Sequence, residues 1–116
     1  MGTTALGRRG EDIACRYLEE RGMSLVKKNY KRVHGEVDLI MDDGETLVFV
    51  EVKTRQNYRY GRPVEAVTYW KQKHIRYCAD MYVWENKIID RHIRFDVVEV
   101  MLGSGEPKIN HIRHAF

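Results

Sequence analysis

Two stretches of the chain repeat apolar residues at the spacing of an α-helix. The first covers residues 7–22, and Gly22 is suited to cap its C-terminal end. One face of this stretch carries Ile13, Ala14, Tyr17 and Leu18. The second covers residues 64–84 and follows Pro63, a residue favoured at helix starts. The pattern therefore predicts two main helices.

The remaining apolar stretches are short or alternate with polar residues, as β-strands do. They cover residues 23–33, 36–41, 47–54, 91–101 and 108–112. A turn around residues 42–45 joins the second and third of them into a hairpin. A mixture of helices and strands within 116 residues predicts one compact α/β domain.

Three charged residues interrupt the apolar pattern of the hairpin: Asp38, Glu51 and Lys53. Glu51 and Lys53 are two residues apart and therefore lie on the same face of their strand. Asp38 joins that face only if the numbers of opposed residues have an odd sum, because a one-residue slip moves every side chain to the other face. We predict the odd register, with Asp38 opposite or diagonal to Glu51. Alternation places on the other face Val37, Leu39 and Met41.

These hairpin charges suit metal-assisted hydrolysis of a phosphodiester. Asp38 and Glu51 can supply two oxygens to Mg²⁺, or to Mn²⁺ in its place, and the Val52 backbone carbonyl is a plausible third ligand. A metal-bound water can act as the nucleophile, and Lys53 can orient it or stabilise the pentavalent phosphate. The structural alternative is a salt-bridged sheet in which Lys53 neutralises Glu51, because a Glu-x-Lys sequence alone is a weak signal.

Each helix also carries a charged residue beside its apolar stripe. Glu11 is either a first-turn acid favoured by the helix dipole or an acid aimed at the hairpin charges. Lys71 falls on the stripe of the second helix, where it either extends its head to solvent or holds a phosphate beside an acidic centre. The adjacent Gln72 could assist it. Trp70 and Trp84 are interpreted as packing or partner surface.

Arginines and tyrosines alternate after the hairpin, at Arg55, Tyr58, Arg59, Tyr60 and Arg62. Arginine contacts phosphates and aromatic rings stack on bases, so this segment predicts nucleic-acid binding. The alternative is a tyrosine-bearing loop that caps the core. The lysine-rich residues 27–32 are likewise either a solvated edge strand or a phosphate-contacting surface. The net charge of +3 is consistent with a polyanionic partner but too small to prove one.

The cellular setting is inferred from cysteines and apolar runs. Cys15 and Cys78 fall within helical patterns, which predicts reduced core cysteines in a cytoplasmic protein. No apolar run has the length of a membrane span, and the N-terminus has no signal-peptide core, so we expect no membrane contact. His111 and His114 lie in a short terminal strand without further ligands, and we predict that they do not bind a metal.

The ordered motifs of the chain closely resemble those of the bacterial YraN family. The resemblance covers nearly the whole chain and rests on G-x-x-G-E-x-x-A-x-x-Y-L over residues 7–18 and on residues 29–30, 35–40, 49–55, 94–98 and 115–116. That family is similar to the Holliday-junction-resolvase-like branch of the PD-(D/E)XK nucleases. The resemblance implies one restriction-endonuclease-like domain over residues 1–116, with a mixed β-sheet flanked by two main helices.

The resemblance also implies roles for residues at the motif positions. Asp38, Glu51 and Lys53 are the implied catalytic set, and Glu11 is the implied helix carboxylate. Lys71 and Gln72 fall in the segment that carries auxiliary basic or amide residues in such enzymes. The chain departs from the superfamily name at Val37, where that name has proline, and family members often lack this proline.

Two functions are therefore weighed. The first is a Mg²⁺-dependent endonuclease that cuts structured or branched DNA and works as a homodimer. The second is a nucleic-acid-binding protein that keeps the nuclease fold but has little or no catalytic activity. A partner-binding domain without nucleic acid is a distant third. The intact set of Asp38, Glu51 and Lys53 favours the first, because unpaired buried carboxylates are costly in a protein that only binds.

Overall fold

The chain forms a five-stranded mixed β-sheet with one helix on each face. This computed structural model describes residues 4–56, 67–103 and 105–116. Its elements are α1 (Ala5–Glu20), β1 (Ser24–Arg32), β2 (Gly35–Asp43), β3 (Thr46–Arg55), α2 (Tyr69–Glu85), β4 (His92–Met101) and β5 (Lys108–Ile112). The strands lie in chain order, and all neighbours are antiparallel except β3 and β4, which α2 connects as a parallel pair. The predicted α/β class and the mixed sheet flanked by two helices are confirmed.

Helix α1 has a defined signal at each end. The Thr4 side chain accepts a hydrogen bond from the first turn and caps the N-terminus. At the other end Gly22 has a φ of 96°, in the region that glycine adopts without strain. The backbone N–H groups of Gly22 and Met23 donate to carbonyls of the last turn at 3.0 and 3.2 Å. The prediction that Gly22 caps this helix is confirmed.

Helix α2 begins later than its apolar pattern suggests. The predicted helix began at Val64, which lies outside the described residues, but Val67 and Thr68 are not helical. Thr68 is instead the N-cap, and its hydroxyl accepts a hydrogen bond from the backbone N–H of Lys71 at 3.2 Å. The predicted start was wrong because apolar spacing indicates which side chains can face the core, whereas the capping hydroxyl decides where helical hydrogen bonding begins. Among the described residues, neither helix is long and apolar enough to span a membrane.

The two faces of the sheet carry separate apolar clusters. The first lies under α1 and includes Ala14, Cys15, Leu18, Leu39, Met41, Val48, Val50 and Val98. The second lies under α2 and includes Tyr30, Val37, Ile40, Phe49, Ile75, Cys78, Ala79 and Phe95. Both cysteines are free and buried, as predicted for core positions. The two helices are thereby fixed on opposite sides of the same strands.

Alternation along β2 breaks at Asp38. Val37 packs with Ile40 in the cluster under α2, whereas Leu39 and Met41 pack under α1, so the prediction that Val37 shares their face was wrong. The pairing of β2 with β3 ends one residue after Asp38 in the chain, at Leu39. Asp38 is therefore placed where two paired strands separate, and regular side-chain alternation does not apply there.

A buried ion pair on β4 also contacts β5, the strand at the edge of the sheet. Asp96 accepts hydrogen bonds from the Arg94 guanidinium at 2.9 and 3.0 Å and lies 2.7 Å from His111 Nε2. Burial alone would raise the pKa of Asp96, but the hydrogen bonds from His111 and Arg94 hold this pKa below its usual range. The chain end packs beside this network, where the rings of Phe116 and Phe95 stack at 5.3 Å.

Gly10 allows α1 to contact β3 directly beside Glu11. A Cβ atom at Gly10 would lie 1.8 Å from Thr54 Oγ1. We therefore expect Gly10→Ala to lower the free energy of unfolding by about 1–3 kcal/mol through overpacking, although alanine is the better helix former. Urea denaturation measures this change. The exposed neighbour Arg9→Ala serves as the control and should change stability by less than about 0.5 kcal/mol. A Gly10→Ala protein as stable as the wild type would contradict the close contact.

Candidate functional site

The hairpin register brings Asp38 and Glu51 together. Every opposed pair from Leu39 with Val50 to Asp43 with Thr46 has an odd sum, as predicted. Asp38 and Glu51 are the next residues beyond the last pair, and the two carboxyl groups interact directly. Where the backbone pairing ends, Asp38 Oδ2 accepts a hydrogen bond from the Val52 N–H at 2.7 Å. The predicted proximity of the two acids is confirmed.

Glu51 is the most enclosed acid of the site, with 3% of its surface exposed. Its Oε2 atom lies 3.1 Å from Lys53 Nζ and 3.4 Å from Lys71 Nζ. Lys53 comes from the same strand and Lys71 from the first turn of α2, so of the two interpretations of Lys71 the structure agrees with the inward one. The salt bridge considered as the structural alternative is present, but it uses only one of the two carboxylate oxygens.

The other oxygen of Glu51 has no donor in the part of the chain that the structure describes. Oε1 is buried, and none of the residues that the structure describes donates a hydrogen bond to it. A buried acceptor without a partner costs on the order of 1–3 kcal/mol. This oxygen belongs to the carboxylate that interacts with the Asp38 carboxyl group.

The electrostatics of Asp38 agree with that geometry. Burial and then the nearby Glu51 carboxylate raise the pKa of Asp38 to about 8, despite the stabilising hydrogen bond from the Val52 N–H. A carboxyl group with such a pKa shares its site with a proton at neutral pH unless a cation replaces that proton.

Helix α1 contributes a third acid. Glu11 is buried, and burial raises its pKa, while a hydrogen bond with the Asn29 side chain opposes the shift and repulsion from Glu36 adds to it. Glu11 also interacts with the Asp38 carboxyl group. The interpretation of Glu11 as an acid aimed at the hairpin is therefore confirmed in position. We refer to Glu11, Asp38 and Glu51 as the acidic cluster.

Asn29 is a site residue whose position the pattern analysis missed. It lies in β1 between the pairs Lys28 with Leu39 and Tyr30 with Val37, and therefore opposite Asp38. Its φ of 51° is uncommon for a residue with a side chain, and asparagine tolerates this conformation better than most residues do. The sequence feature that could have indicated this position is an asparagine within a lysine-rich strand.

Other predicted residues lie at the edge of the cluster or away from it. Arg55, Lys53, Val52 and Glu11 help to line a cavity of about 270 Å³ between α1 and β3. The Gln72 amide donates to the Val67 carbonyl at 3.3 Å, and this contact lies within the start of α2 rather than in the acidic cluster. The predicted nucleic-acid contacts Tyr58, Arg59, Tyr60 and Arg62 lie outside the described residues.

Carboxylate and carbonyl oxygens are the ligand types that a hard divalent cation prefers. Within residues 4–56, 67–103 and 105–116 no group of three or more His, Cys, Asp and Glu side chains is arranged to hold a metal ion. The predicted set is smaller, with Asp38, Glu51 and the Val52 carbonyl. The Val52 N–H points to Asp38, and in a strand the carbonyl of the same residue points to the same side. The unpaired Glu51 Oε1 adds an oxygen ligand that nothing described here uses.

Comparison with known sequences places the chain in a family. The family described as "Uncharacterised protein family UPF0102" matches residues 10–100. A UPF0102 protein of Rhodococcus opacus is 50% identical over 113 residues, covering 97% of this chain and 96% of that protein. A relative in Geobacter sulfurreducens is 44% identical over 112 residues, covering 96% of this chain and 88% of that protein. One in Nocardia farcinica is 43% identical over 113 residues, covering 97% and 89%.

The chain belongs to the UPF0102 family, which is YraN-like, so the resemblance noted from the motifs is confirmed at the level of this family. The matched segment begins one residue before Glu11 and includes Asp38, Glu51, Lys53 and Lys71. The acidic cluster and both lysines that contact it therefore lie within the part of the chain that defines the family.

The raised pKa of Asp38 predicts a pH dependence of stability. The folded state holds this proton more tightly than the unfolded state does, so the free energy of unfolding falls as the pH rises from about 4 to 8. In metal-free buffer, Asp38→Asn should therefore raise the free energy of unfolding at pH 8 by roughly 1–3 kcal/mol and change it little at pH 4.

Urea denaturation in EDTA across this pH range measures the effect. The variant keeps an oxygen that can accept the hydrogen bond from the Val52 N–H, so this contact between the strands is the same in the variant and the wild type. A variant less stable than the wild type at pH 8 would show that the Asp38 carboxylate is already compensated in the metal-free protein.

Proposed function

We propose that this protein is a Mg²⁺-dependent endonuclease with a restriction-endonuclease-like PD-(D/E)XK core, which hydrolyses phosphodiester bonds in structured or branched DNA. The observation that carries the proposal is the state of Glu51. One of its oxygens contacts two lysines, and the other is buried beside the Asp38 carboxyl group without a donor among the residues that the structure describes. This arrangement is costly in a sheet that serves only as a scaffold.

Asp38, Glu51 and the Val52 carbonyl would hold the divalent ion. When bound, Mg²⁺ or Mn²⁺ would stabilise negative charge on the phosphate and lower the pKa of a water ligand. Other residues of the chain would orient the water, stabilise the phosphate and transfer a proton. Lys53 lies where it can orient the attacking water, and Lys71 adds a second positive charge for the pentavalent phosphate. Glu11, whose pKa is raised by burial, can accept or return a proton near this water.

Arg55 extends the positive surface away from the reacting bond. It lines the cavity that Glu11, Val52 and Lys53 also border, so a phosphate next to the scissile one would meet its guanidinium. Tyr58, Arg59, Tyr60 and Arg62 follow Arg55 in the chain, and we retain them as proposed nucleic-acid contacts on the strength of their composition.

The alternative function is nucleic-acid binding with little or no cleavage. Lysines that neutralise Glu51 are compatible with it, because the same charges attract a phosphate backbone. The unpaired Glu51 oxygen beside Asp38 favours the enzyme, since replacing either acid by a neutral residue would remove a repulsion that binding alone does not require.

A cleavage assay separates the two. We expect the wild type to cut at least one of four substrates (a four-way junction, a flap, a duplex or a single strand) in Mg²⁺ or Mn²⁺. Asp38→Asn and Glu51→Gln should each reduce the cleavage rate by about 100-fold or more, because each removes a proposed metal ligand. Glu45→Gln alters an exposed turn residue of the same hairpin and serves as the matched control.

Each outcome of this assay has a defined meaning. Cutting that both cluster variants retain in full would place the activity outside the acidic cluster or in a contaminant. A wild type that binds DNA with a strong salt dependence but never cuts it would support the binding protein. Metal-induced thermal stabilisation of the wild type, lost in Asp38→Asn, would support the metal site independently of cleavage.

We further propose that the protein works as a homodimer, formed through an apolar groove at the C-terminal end of α2. The groove has a volume of about 980 Å³. Its apolar lining includes Ala79, Val83, Trp84, Ile88, Ile89, Ile93 and Phe95. Trp84 is 75% exposed and Ile89 is 80% exposed, which is unusual for large apolar side chains that adjoin one another. Exposed tryptophan is typical of the centre of a protein–protein interface.

The charges around this groove favour a second copy as the occupant. Glu85 accepts from Tyr30 and Arg32, and Arg76 lies over the ring of Phe95, so these two charges are used within the chain. Asp80 and Lys87 line the same groove, are exposed and have opposite signs. In a two-fold symmetric dimer, Asp80 of one protomer can face Lys87 of its partner, and Lys87 of the first can face Asp80 of the partner, because such an interface is self-complementary.

Charge reversal tests this arrangement. Asp80→Lys and Lys87→Asp should each weaken the dimer, because like charges then face each other. A mixture of the two variants should assemble again, because both cross-contacts regain opposite charges. Sedimentation equilibrium measures the association and native mass spectrometry identifies the mixed dimer. A monomeric wild type, or a mixture that associates no better than either variant alone, would contradict this interface.

A further inference from the structure

The first turn of α2 presents two large aromatic rings to solvent. Tyr69 and Trp70 are each 65% exposed. The next residue, Lys71, points inward and places its Nζ atom 3.4 Å from Glu51 Oε2. The exposed rings are therefore adjacent in the chain to a side chain that contacts the proposed catalytic carboxylate.

Packing of the core does not account for these rings. The buried residues of α2 are Ile75, Cys78 and Ala79, all of which lie further along the helix. The planes of Tyr69 and Trp70 meet at 70°, with their centroids 5.6 Å apart, so each ring supports the other edge to face. Both side chains nevertheless remain mostly exposed.

A cation lies against the same rings. Lys73 Nζ is 5.3 Å from the Trp70 centroid and 5.6 Å from the Tyr69 centroid. Lys73 thereby places a positive charge against this exposed aromatic surface. That combination recognises single-stranded nucleic acid, in which a base stacks on the ring while lysines contact the adjoining phosphates.

We propose that Trp70 is a stacking platform for an unpaired nucleobase adjacent to the scissile phosphate. The proposal rests on the proposed nuclease function and specifies its substrate class. Bases inside a continuous duplex already stack on one another and cannot stack on a side chain without being extruded. The Trp70 platform therefore selects strands with unpaired nucleotides next to the reacting bond, as at a flap, a bulge or a branch.

The two tryptophans of the chain allow a direct optical test. In Trp84→Phe, Trp70 is the sole tryptophan, and in Trp70→Phe only Trp84 remains. Both are titrated in EDTA, which withholds the divalent ion, with a single-stranded DNA, the same sequence as RNA, and a blunt duplex. We expect the single strands to quench Trp70 fluorescence strongly and the duplex to quench it weakly. Trp84 fluorescence should change little with any of the three.

Binding affinity provides the second readout. Fluorescence anisotropy of a labelled single strand should show that Trp70→Ala weakens binding by about 5- to 100-fold, which is the effect of losing one stacked base. Trp70→Phe retains an aromatic face and should keep most of the affinity. The same Trp70→Ala change should affect duplex binding by less than about 3-fold, since a blunt duplex offers no unpaired base.

The outcomes distinguish this platform from the function on which it rests. The platform is overturned if the wild type binds single strands but Trp70 fluorescence in Trp84→Phe does not change and Trp70→Ala binds as tightly as the wild type. That result leaves the nuclease proposal intact. Equal quenching by duplex and single strand overturns its selectivity for unpaired bases. A wild type that binds neither form of nucleic acid overturns both. Tighter binding of the RNA than of the DNA, with Trp70 quenched by both, supports the platform and overturns DNA as the preferred substrate.

Discussion

The candidate site depends on the close approach of two carboxyl groups at the point where β2 and β3 separate. Asp38 and Glu51 face each other, and the pKa of Asp38 rises because of burial and of the charge on Glu51. One Glu51 oxygen contacts two lysines and the other has no described donor. Such a contact persists only where the surrounding fold enforces it, and its compensation at neutral pH requires a proton or a cation.

Three elements enforce this contact. The hairpin supplies the register, and the hydrogen bond from the Val52 N–H to Asp38 replaces the backbone pairing that ends there. Gly10 lets α1 approach β3 closely enough to bring Glu11 to the same point. The capped start of α2 directs Lys71 inward toward Glu51. The core and the acidic cluster are therefore set by the same contacts between helices and sheet.

Much of this arrangement could be predicted from the sequence, because the spacing of apolar residues indicates which side chains share a face of a strand or helix. The odd hairpin register, the shared face of Glu51 and Lys53, and the inward Lys71 follow from apolar alternation in the strands and helical spacing in α2. The break in alternation at Asp38 could not be predicted in this way. It arises because the Asp38 side chain, in place of a backbone carbonyl, accepts the hydrogen bond of the Val52 N–H. The role of Asn29 depends on a left-handed backbone conformation, and the start of α2 depends on a capping hydroxyl.

The central proposal is that Asp38 and Glu51 bind a divalent cation in exchange for a proton. Isothermal titration of Mn²⁺ at pH 7, in buffers that differ in ionisation enthalpy, measures the affinity and the number of protons released together. The account predicts binding that releases up to about one proton in the wild type, with binding greatly weakened in Asp38→Asn and Glu51→Gln. Binding of equal strength to all three proteins, or no binding to the wild type, would contradict it.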